Sequence, residues 1–371
     1  MNKVMGIINL AEEKNCLSEL TTDRCLAAVP FAARYRLIDF ALTNMVRSNV
    51  KEIAIFTHSN YRSLLTHVGS GADWDLNKRH GGLYVLPPYW QDTDINGDID
   101  YFLHNWDYIE RSKAEHLLIS GSSLITNTNF DKLIQDHINK NADITFLTIK
   151  TPASPALNDT STFQDNRQKA LSTKINNVTE SAFYTGIYLI KKSCLHSLIF
   201  SSGSEITSNL LIDVICSQFS LMNVQIVQHQ GYSCSINSIQ DYYHHSLQLL
   251  EQKNYEQLFQ LSRNVTTKIS NYKPAKYEQT ASVKQSLIST GCRIAGNVEK
   301  SMLSRAVTVE AGATVKNSII LDHCQIKSGA YIENAIIDKF TVLSEGDIII
   351  GDKEHPHVIG KQKNVQTVVK K

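Results

Sequence analysis

Residues 309–312 read Val-Glu-Ala-Gly, and seventeen positions later residues 326–329 read Ile-Lys-Ser-Gly, with a looser copy from Val342 to Gly346. In step with these, Val298, Val315 and Ile332 are each followed four residues on by an apolar pair: Met302-Leu303, Ile319-Ile320 and Ile336-Ile337. An apolar residue every five to six positions, with glycine at turns, is the pattern of a parallel β-helix with three short faces per coil. Each coil of such a stack buries its inward valine or isoleucine on the next, so the end coils need a cap or a partner. An open sheet of irregular hairpins is the competing reading, and the fixed offset argues against it. Ile319-Ile-Leu321 and Ile348-Ile-Ile350 are runs of three apolar residues. Neighbours in a strand alternate between faces, so at least one residue of each run is expected to point outward, as an association surface unless the tail or linker covers it.

Upstream, to about residue 250, the texture is different. Val4–Ile8 reads as a buried strand and residues 51–57 as another, with apolar positions 37, 38, 41, 42, 45 and 46 between them spaced as one helix face. Residues 115–120 and 143–150 read as further strands around an amphipathic helix at 129–140. Alternation of this kind predicts a doubly wound, mostly parallel α/β sheet covered by helices on both faces. Ligands of such sheets sit beyond the carboxyl ends of the strands, which directs attention to the loops after Ile8, Thr57 and Ser120. The expected division is residues 1–250 for this domain, 251–280 for a polar linker, and 281–371 for the β-helix and a tail. Residues 158–177 read as a long surface loop.

Composition narrows the function classes. The chain has 371 residues, 42% hydrophobic and 20% charged, which suits two globular domains. Thirty-seven lysines and arginines against 36 acidic residues leave a net charge of +1, so no global field draws in nucleic acid or an anionic membrane. Seven cysteines with no CxxC pair fit neither a zinc ribbon nor a dense disulfide framework, and suit a reducing cytoplasm. The apolar run at residues 4–10 is too short for a membrane span.

Ala28-Val-Pro-Phe31, Arg34-Tyr-Arg-Leu-Ile-Asp-Phe40 and Asn44 together resemble the AVPFGGKYRIIDFPLSN signature of the glucose-1-phosphate adenylyltransferase (ADP-glucose pyrophosphorylase) family. Lys113-Ala-Glu-His-Leu-Leu-Ile-Ser-Gly121 and Thr185-Gly-Ile-Tyr188 are similar to the strand before its metal site and to its sugar-binding GIY segment. The resemblance covers nearly the whole chain. It implies a nucleotidyltransferase-like sheet followed by a left-handed parallel β-helix, and tetrameric assembly through the β-helix and the sheet domain.

The departures decide what activity the resemblance implies. The family's AGGxGxRLxPLT loop cradles nucleotide phosphates on backbone N–H groups, and here it reads Leu10-Ala-Glu-Glu-Lys-Asn-Cys-Leu-Ser-Glu-Leu-Thr21. Two glycines are Glu12 and Lys14, the arginine is Cys16 and the proline is Glu19. Side chains there block close approach of the backbone, and the acids repel a triphosphate. The family's two magnesium carboxylates, from Gly-Asp and Asp-Val-Gly-Thr, fall at Ser122 and Ser235. Neutral hydroxyls hold that hard cation poorly, and nucleotidyl transfer depends on it. The family lysine just after Arg24 is Leu26, and no Glu-Lys-Pro for the sugar phosphate is present, with Lys169 or Lys174 the only stand-ins.

These readings lead to a non-catalytic, regulatory subunit of glucose-1-phosphate adenylyltransferase in glycogen biosynthesis, a pseudoenzyme with absent or very low turnover. The alternative is an active or weakly active sugar-phosphate nucleotidyltransferase with a remodelled site. No catalytic or metal residues are expected and no cofactor, the Mg²⁺ site being lost. Arg34, Arg36, Gly97, Asp100 and Gly186 are the candidates for binding a phosphorylated effector or a nucleotide remnant, the arginines lying where a helix begins. For Arg34 and Arg36 the structural alternative is an ion pair with Asp39. The expected partners are the catalytic subunit and such an effector, in a cytoplasmic homo- or hetero-oligomer, with neither nucleic acid nor membrane. His244-His245 points its rings to different helix faces, and His323, a general-base type of residue in β-helix acyltransferases, follows a full α/β domain here.

Overall fold

The computed structural model describes residues 3–11, 13, 16–58, 60–78, 81–87, 97–150, 171, 174–175, 182–200, 211–259 and 264–361. These group into two compact units, residues 1–14 with 38–235, and residues 15–37 with 236–371. The units cut the chain elsewhere than the texture of the sequence does, because residues 15–37 and the helix Ile239–Gln248 group with the β-helix.

The first unit is built on a seven-stranded sheet. Its order is Val224–His229, Ile144–Lys150, Ala182–Lys191, His116–Ser120, Val4–Asn9, Glu52–Phe56 and Gly82–Leu86. All neighbours run parallel except Ala182–Lys191, which is antiparallel to both of its own. The central strands are buried on both sides, and one face packs Met5, Ile7, Phe56, Leu117, Phe146 and Ile190 into a continuous core. That two-sided burial is why these strands read as unbroken apolar runs rather than alternating ones. Beyond the sheet, the short strands Leu124–Thr126 and Ser233–Ser235 pair antiparallel, with Ser235 opposite Leu124. Asn44, from the helix Leu37–Arg47, braces this region: its amide donates to Thr126 O (2.9 Å) and its oxygen accepts from Thr128 N (3.1 Å).

The second unit contains the β-helix, three parallel five-stranded sheets wound around one apolar core. Ile294, Val309, Ile326 and Leu343 stack inward on one face, and Val298, Val315, Ile332 and Ile349 on the next. Leu303, Ile320, Ile337 and Ile359 complete the third. The seventeen-residue step holds from Lys276↔Arg293 and again in the later coils (Asn297↔Thr314↔Tyr331↔Ile348), but one turn between them takes fifteen (Ser282↔Asn297, Arg293↔Thr308). The first coil strand, Lys276–Tyr277, lies inside the stretch read as linker.

The two apolar runs behave differently. Ile348 and Ile350 point outward, 46% and 51% exposed, whereas Ile319, Ile320 and Leu321 are all buried. The outward row containing Ile319 lies on the face onto which residues 15–37 and the helix Ile239–Gln248 dock. Tyr243 Oη donates to Asn317 O (2.5 Å), and Arg24 pairs with Asp338 on the same face. On the other two faces the outward columns are polar until the last coil. They read Lys276, Arg293, Thr308, Gln325, Val342 and Lys284, Glu299, Lys316, Glu333, Ile350.

Candidate functional site

The opening strand Val4–Asn9 and the central strand His116–Ser120 end side by side, Ile8 opposite Ser120. Past that edge the chain turns back on itself. Ala11 N–H donates to Asn9 Oδ1 (3.1 Å), and Glu13 N–H to Leu10 O (3.2 Å). The second turn carries Glu13 to the end of the central strand. There its Oε1 accepts the backbone N–H of Ser122 at 2.9 Å and also the Ser122 hydroxyl, and Ser122 is fully buried. Ser235 is held opposite Leu124, which follows Ser122 by two residues. The structure therefore brings together the altered loop and both positions at which the sequence lacks a carboxylate. Glu12 and Lys14 lie outside the described residues, as does Lys169.

Magnesium needs several hard oxygen ligands, chiefly carboxylates. At this edge the two key positions offer hydroxyls, and the carboxylates near them among the described residues are taken, Glu13 by both donors of Ser122 and Asp98 by Asn9 and Leu211 N. The residues do not fit the ion. Among the described residues no three His, Cys, Asp or Glu side chains are grouped to hold a metal.

Asn9 also donates to Asp98 Oδ2 (2.9 Å), and Asp98 Oδ1 accepts from Leu211 N (2.8 Å). Asp98 is buried, so of Gly97-Asp-Ile-Asp100 it is Asp98 that reaches the sheet edge. Asp100 stays half-buried on the helix Asp98–His104, and Gly97 is extended. Gly186 has φ +78° at the irregular register between Ala182–Lys191 and Ile144–Lys150, with open space where a Cβ would stand. Thr185 Oγ1 bonds Leu147 O (2.7 Å) across the same bulge, and Tyr188 is buried in the core. Lys174 directs its ammonium to Cys216 O (2.6 Å), which occupies it structurally.

Arg34 and Arg36 belong to the second unit, whereas Gly97, Asp100 and Gly186 belong to the first. Asp39 is fully buried and bonded to His67 Nε2 at 2.5 Å. Exposed Arg34 lies over the ring of Tyr35 (5.8 Å), and Tyr35 stacks on Phe259 (5.0 Å). Arg36 lies within the field of Lys339, whose pKa is lowered by burial first and further by Arg36 and Arg24, against its 2.6 Å pair with Asp322. The histidines are accounted for locally. His245 bonds Gln248 (3.2 Å), and His323 accepts or donates with Tyr272 Oη (2.8 Å) while stacked on Phe340 (5.0 Å).

Asp98 and the Glu13–Ser122 pair are what sequence reasoning missed. The acidity of residues 12–13 and the serine at 122 were both visible, but their meeting across 109 positions carried no local signal.

Residues 15–200 match the nucleotidyl transferase family model, and residues 271–361 the GlmU-like C-terminal hexapeptide model. The chain is 31% identical to the glycogen biosynthesis protein GlgD of Bacillus subtilis (strain 168) over 362 residues, covering 97% of this chain and 96% of that protein. The chain belongs to the glucose-1-phosphate adenylyltransferase family. A GlgD of Geobacillus stearothermophilus is 33% identical over 85% of this chain and 83% of its own length. A glucose-1-phosphate adenylyltransferase of Fervidobacterium nodosum is 27% identical over 93% and 85%. The hexapeptide match makes the β-helix of the second unit a left-handed one. Among the described residues no helix is long and apolar enough to cross a membrane.

Proposed function

We propose that this chain is a regulatory, catalytically inactive subunit of glucose-1-phosphate adenylyltransferase, acting in the cytoplasm in glycogen biosynthesis. The reaction, ATP and glucose 1-phosphate to ADP-glucose and diphosphate, belongs to the catalytic paralogue. The observation that carries this reading is Glu13 seated on Ser122, with a carboxylate on the donors where a nucleotide phosphate would approach and hydroxyls where the metal ligands would stand. Nucleotidyl transfer needs metal and aligned phosphates together, and such groups fail as a unit. The names of the two GlgD relatives agree with the pathway.

The regulatory half of the reading rests on what is kept. Exposed Arg34 and half-buried Arg36 are the cations of the second unit offered to a phosphorylated effector or nucleotide, Lys339 beside Arg36 being already paired with Asp322. The apolar last coil offers a surface for the catalytic subunit in a hetero-oligomer, a tetramer by family likeness. The deciding assay is ADP-glucose formation by the purified chain, the paralogue and their mixture. Near-zero turnover alone with an altered rate or effector response in the mixture supports the proposal. Turnover alone at the paralogue's rate overturns it in favour of an active enzyme with a remodelled site.

A further inference from the structure

Ser122 presents two donors, its N–H and its hydroxyl, at the carboxyl end of the central strand, the place where α/β sheets receive anions. Both point at one oxygen of Glu13. The loop that delivers Glu13 is braced from behind: Leu211 N–H holds Asp98, Asp98 holds the Asn9 amide, and the Asn9 oxygen holds Ala11 N–H. Asp98 is buried, which shields the inner end of this chain of bonds from water, while Asn9 and Ala11 are half-buried. Glu13 therefore arrives at Ser122 in a fixed pose.

We infer that Glu13 is a built-in plug of the former phosphate cradle. Its carboxylate takes the donors of Ser122 that an incoming phosphate needs, and no such anion reaches the end of the central strand unless Glu13 leaves. This goes beyond the loss of a metal ligand, because a serine alone at position 122 would leave an empty anion-binding N–H. It rests on the reading above only in taking residues 10–21 as the counterpart of a phosphate loop. The pairing also explains why a serine suits position 122: a carboxylate there would face the Glu13 carboxylate with no proton or metal between them.

Two double-mutant cycles on the full chain, read by urea unfolding at pH 7.5, test the pairing. Glu13→Ala and Ser122→Ala both remove the hydroxyl-to-carboxylate bond, so their combination is expected to cost less than the sum of the singles. Ser122→Asp is expected to destabilise strongly with Glu13 present and far less in the Glu13→Ala background. In both cycles the coupling should change the unfolding constant about tenfold or more. If Glu13→Ala does not fold, Glu13→Gln, which keeps the shape and removes the charge, should relieve Ser122→Asp in the same way. Additivity in both cycles overturns the pairing. Titration calorimetry with inorganic tripolyphosphate tests the plug itself. The wild type should bind about tenfold or more weakly than Glu13→Ala, and equal binding, or none by either, overturns it. Turnover by the wild-type chain would sink the inactive-subunit reading while leaving the measured Glu13–Ser122 coupling as it stands.

Discussion

Ala32 and Ala33 hold left-handed backbone, φ +48° and +59°, in the turn of the hairpin that pairs Pro30 with Arg36. The family signature has two glycines at these positions. An L-residue pays about 1–2 kcal/mol for this conformation, partly offset by the lower chain entropy of alanine when unfolded and by its buried methyl. Ala33→Gly is therefore expected to raise stability by about 0.5 kcal/mol, and a lower urea midpoint would refute the strain argument. His137 gives a pH prediction at the same scale. It is fully buried, bonding Thr145 Oγ1 (2.8 Å) and His116 Nδ1 (3.0 Å). Burial first, then His116 and Lys191, push its pKa down to about 4, with only Asp143 opposing. The ordinary value is 6.5, so between pH 6.5 and about 4 the unfolded chain binds more protons than the folded one. Stability should be full above pH 6.5 and fall as pH drops toward 4. His137→Gln should flatten that part of the urea-midpoint profile, and an unchanged slope would remove His137 as its source. At residue scale the sequence showed which groups depart from the family pattern, the acids at 12 and 13 and the serines at 122 and 235. It did not show that Glu13 and Ser122 compensate each other, since that contact depends on two strand ends lying side by side.

At the scale of elements the β-helix was legible through one corner of its coil and opaque at the others. Gly312, Gly329 and Gly346 all have positive φ and mark the seventeen-residue step. The other two corners use the same left-handed backbone at Lys300, Asn317 and Asn334, and at Ala306, His323 and Phe340, residues with no common signature. A single fifteen-residue turn after the first coil breaks the seventeen-residue offset, so the strand before it, Lys276–Tyr277, reads as linker. Residues 15–37 were read wholly by their catalytic family motif, yet in the structure they serve as packing. Tyr242 Oη donates to Pro30 O (2.7 Å), and the Arg24 guanidinium pairs with Asp338, both side chains 5% exposed or less. A buried ion that loses its partner is costly, so Asp338→Asn should destabilise by about 3 kcal/mol, measured by urea unfolding. Combining Arg24→Met with Asp338→Leu should recover most of the loss. If Asp338→Asn is neutral, the pair does not anchor this segment to the β-helix.

For the whole molecule, the question is why a chain with such an altered site still builds a nucleotidyltransferase sheet and a complete β-helix. Assembly answers it if the surface is suitable, and the last coil is where the surface changes character. Lys276, Arg293, Thr308 and Gln325 precede Val342 in one outward column, and Lys284, Glu299, Lys316 and Glu333 precede Ile350 in the other. Phe340, Val342, Ile348 and Ile350 are between 38% and 51% exposed, all on this coil. The alternating lysines and glutamates above them neutralise one another along the column, leaving apolar area as the drive to associate there. Its strands Val342–Leu343 and Ile348–Ile350 also end their sheets, each with one edge unpaired among the described residues. The chain is thus expected to self-associate alone and to form a hetero-oligomer with the catalytic paralogue, by size-exclusion chromatography with light scattering. Ile348→Asp with Ile350→Asp should shift both species toward smaller mass. Because these side chains are half exposed in the single chain, the urea midpoint should stay within about 0.5 kcal/mol of the wild type. A wild-type chain that stays strictly monomeric, with no change on adding the paralogue, would leave the apolar coil without the role argued for it. Assembly unchanged by the double substitution would place the interface elsewhere on the molecule.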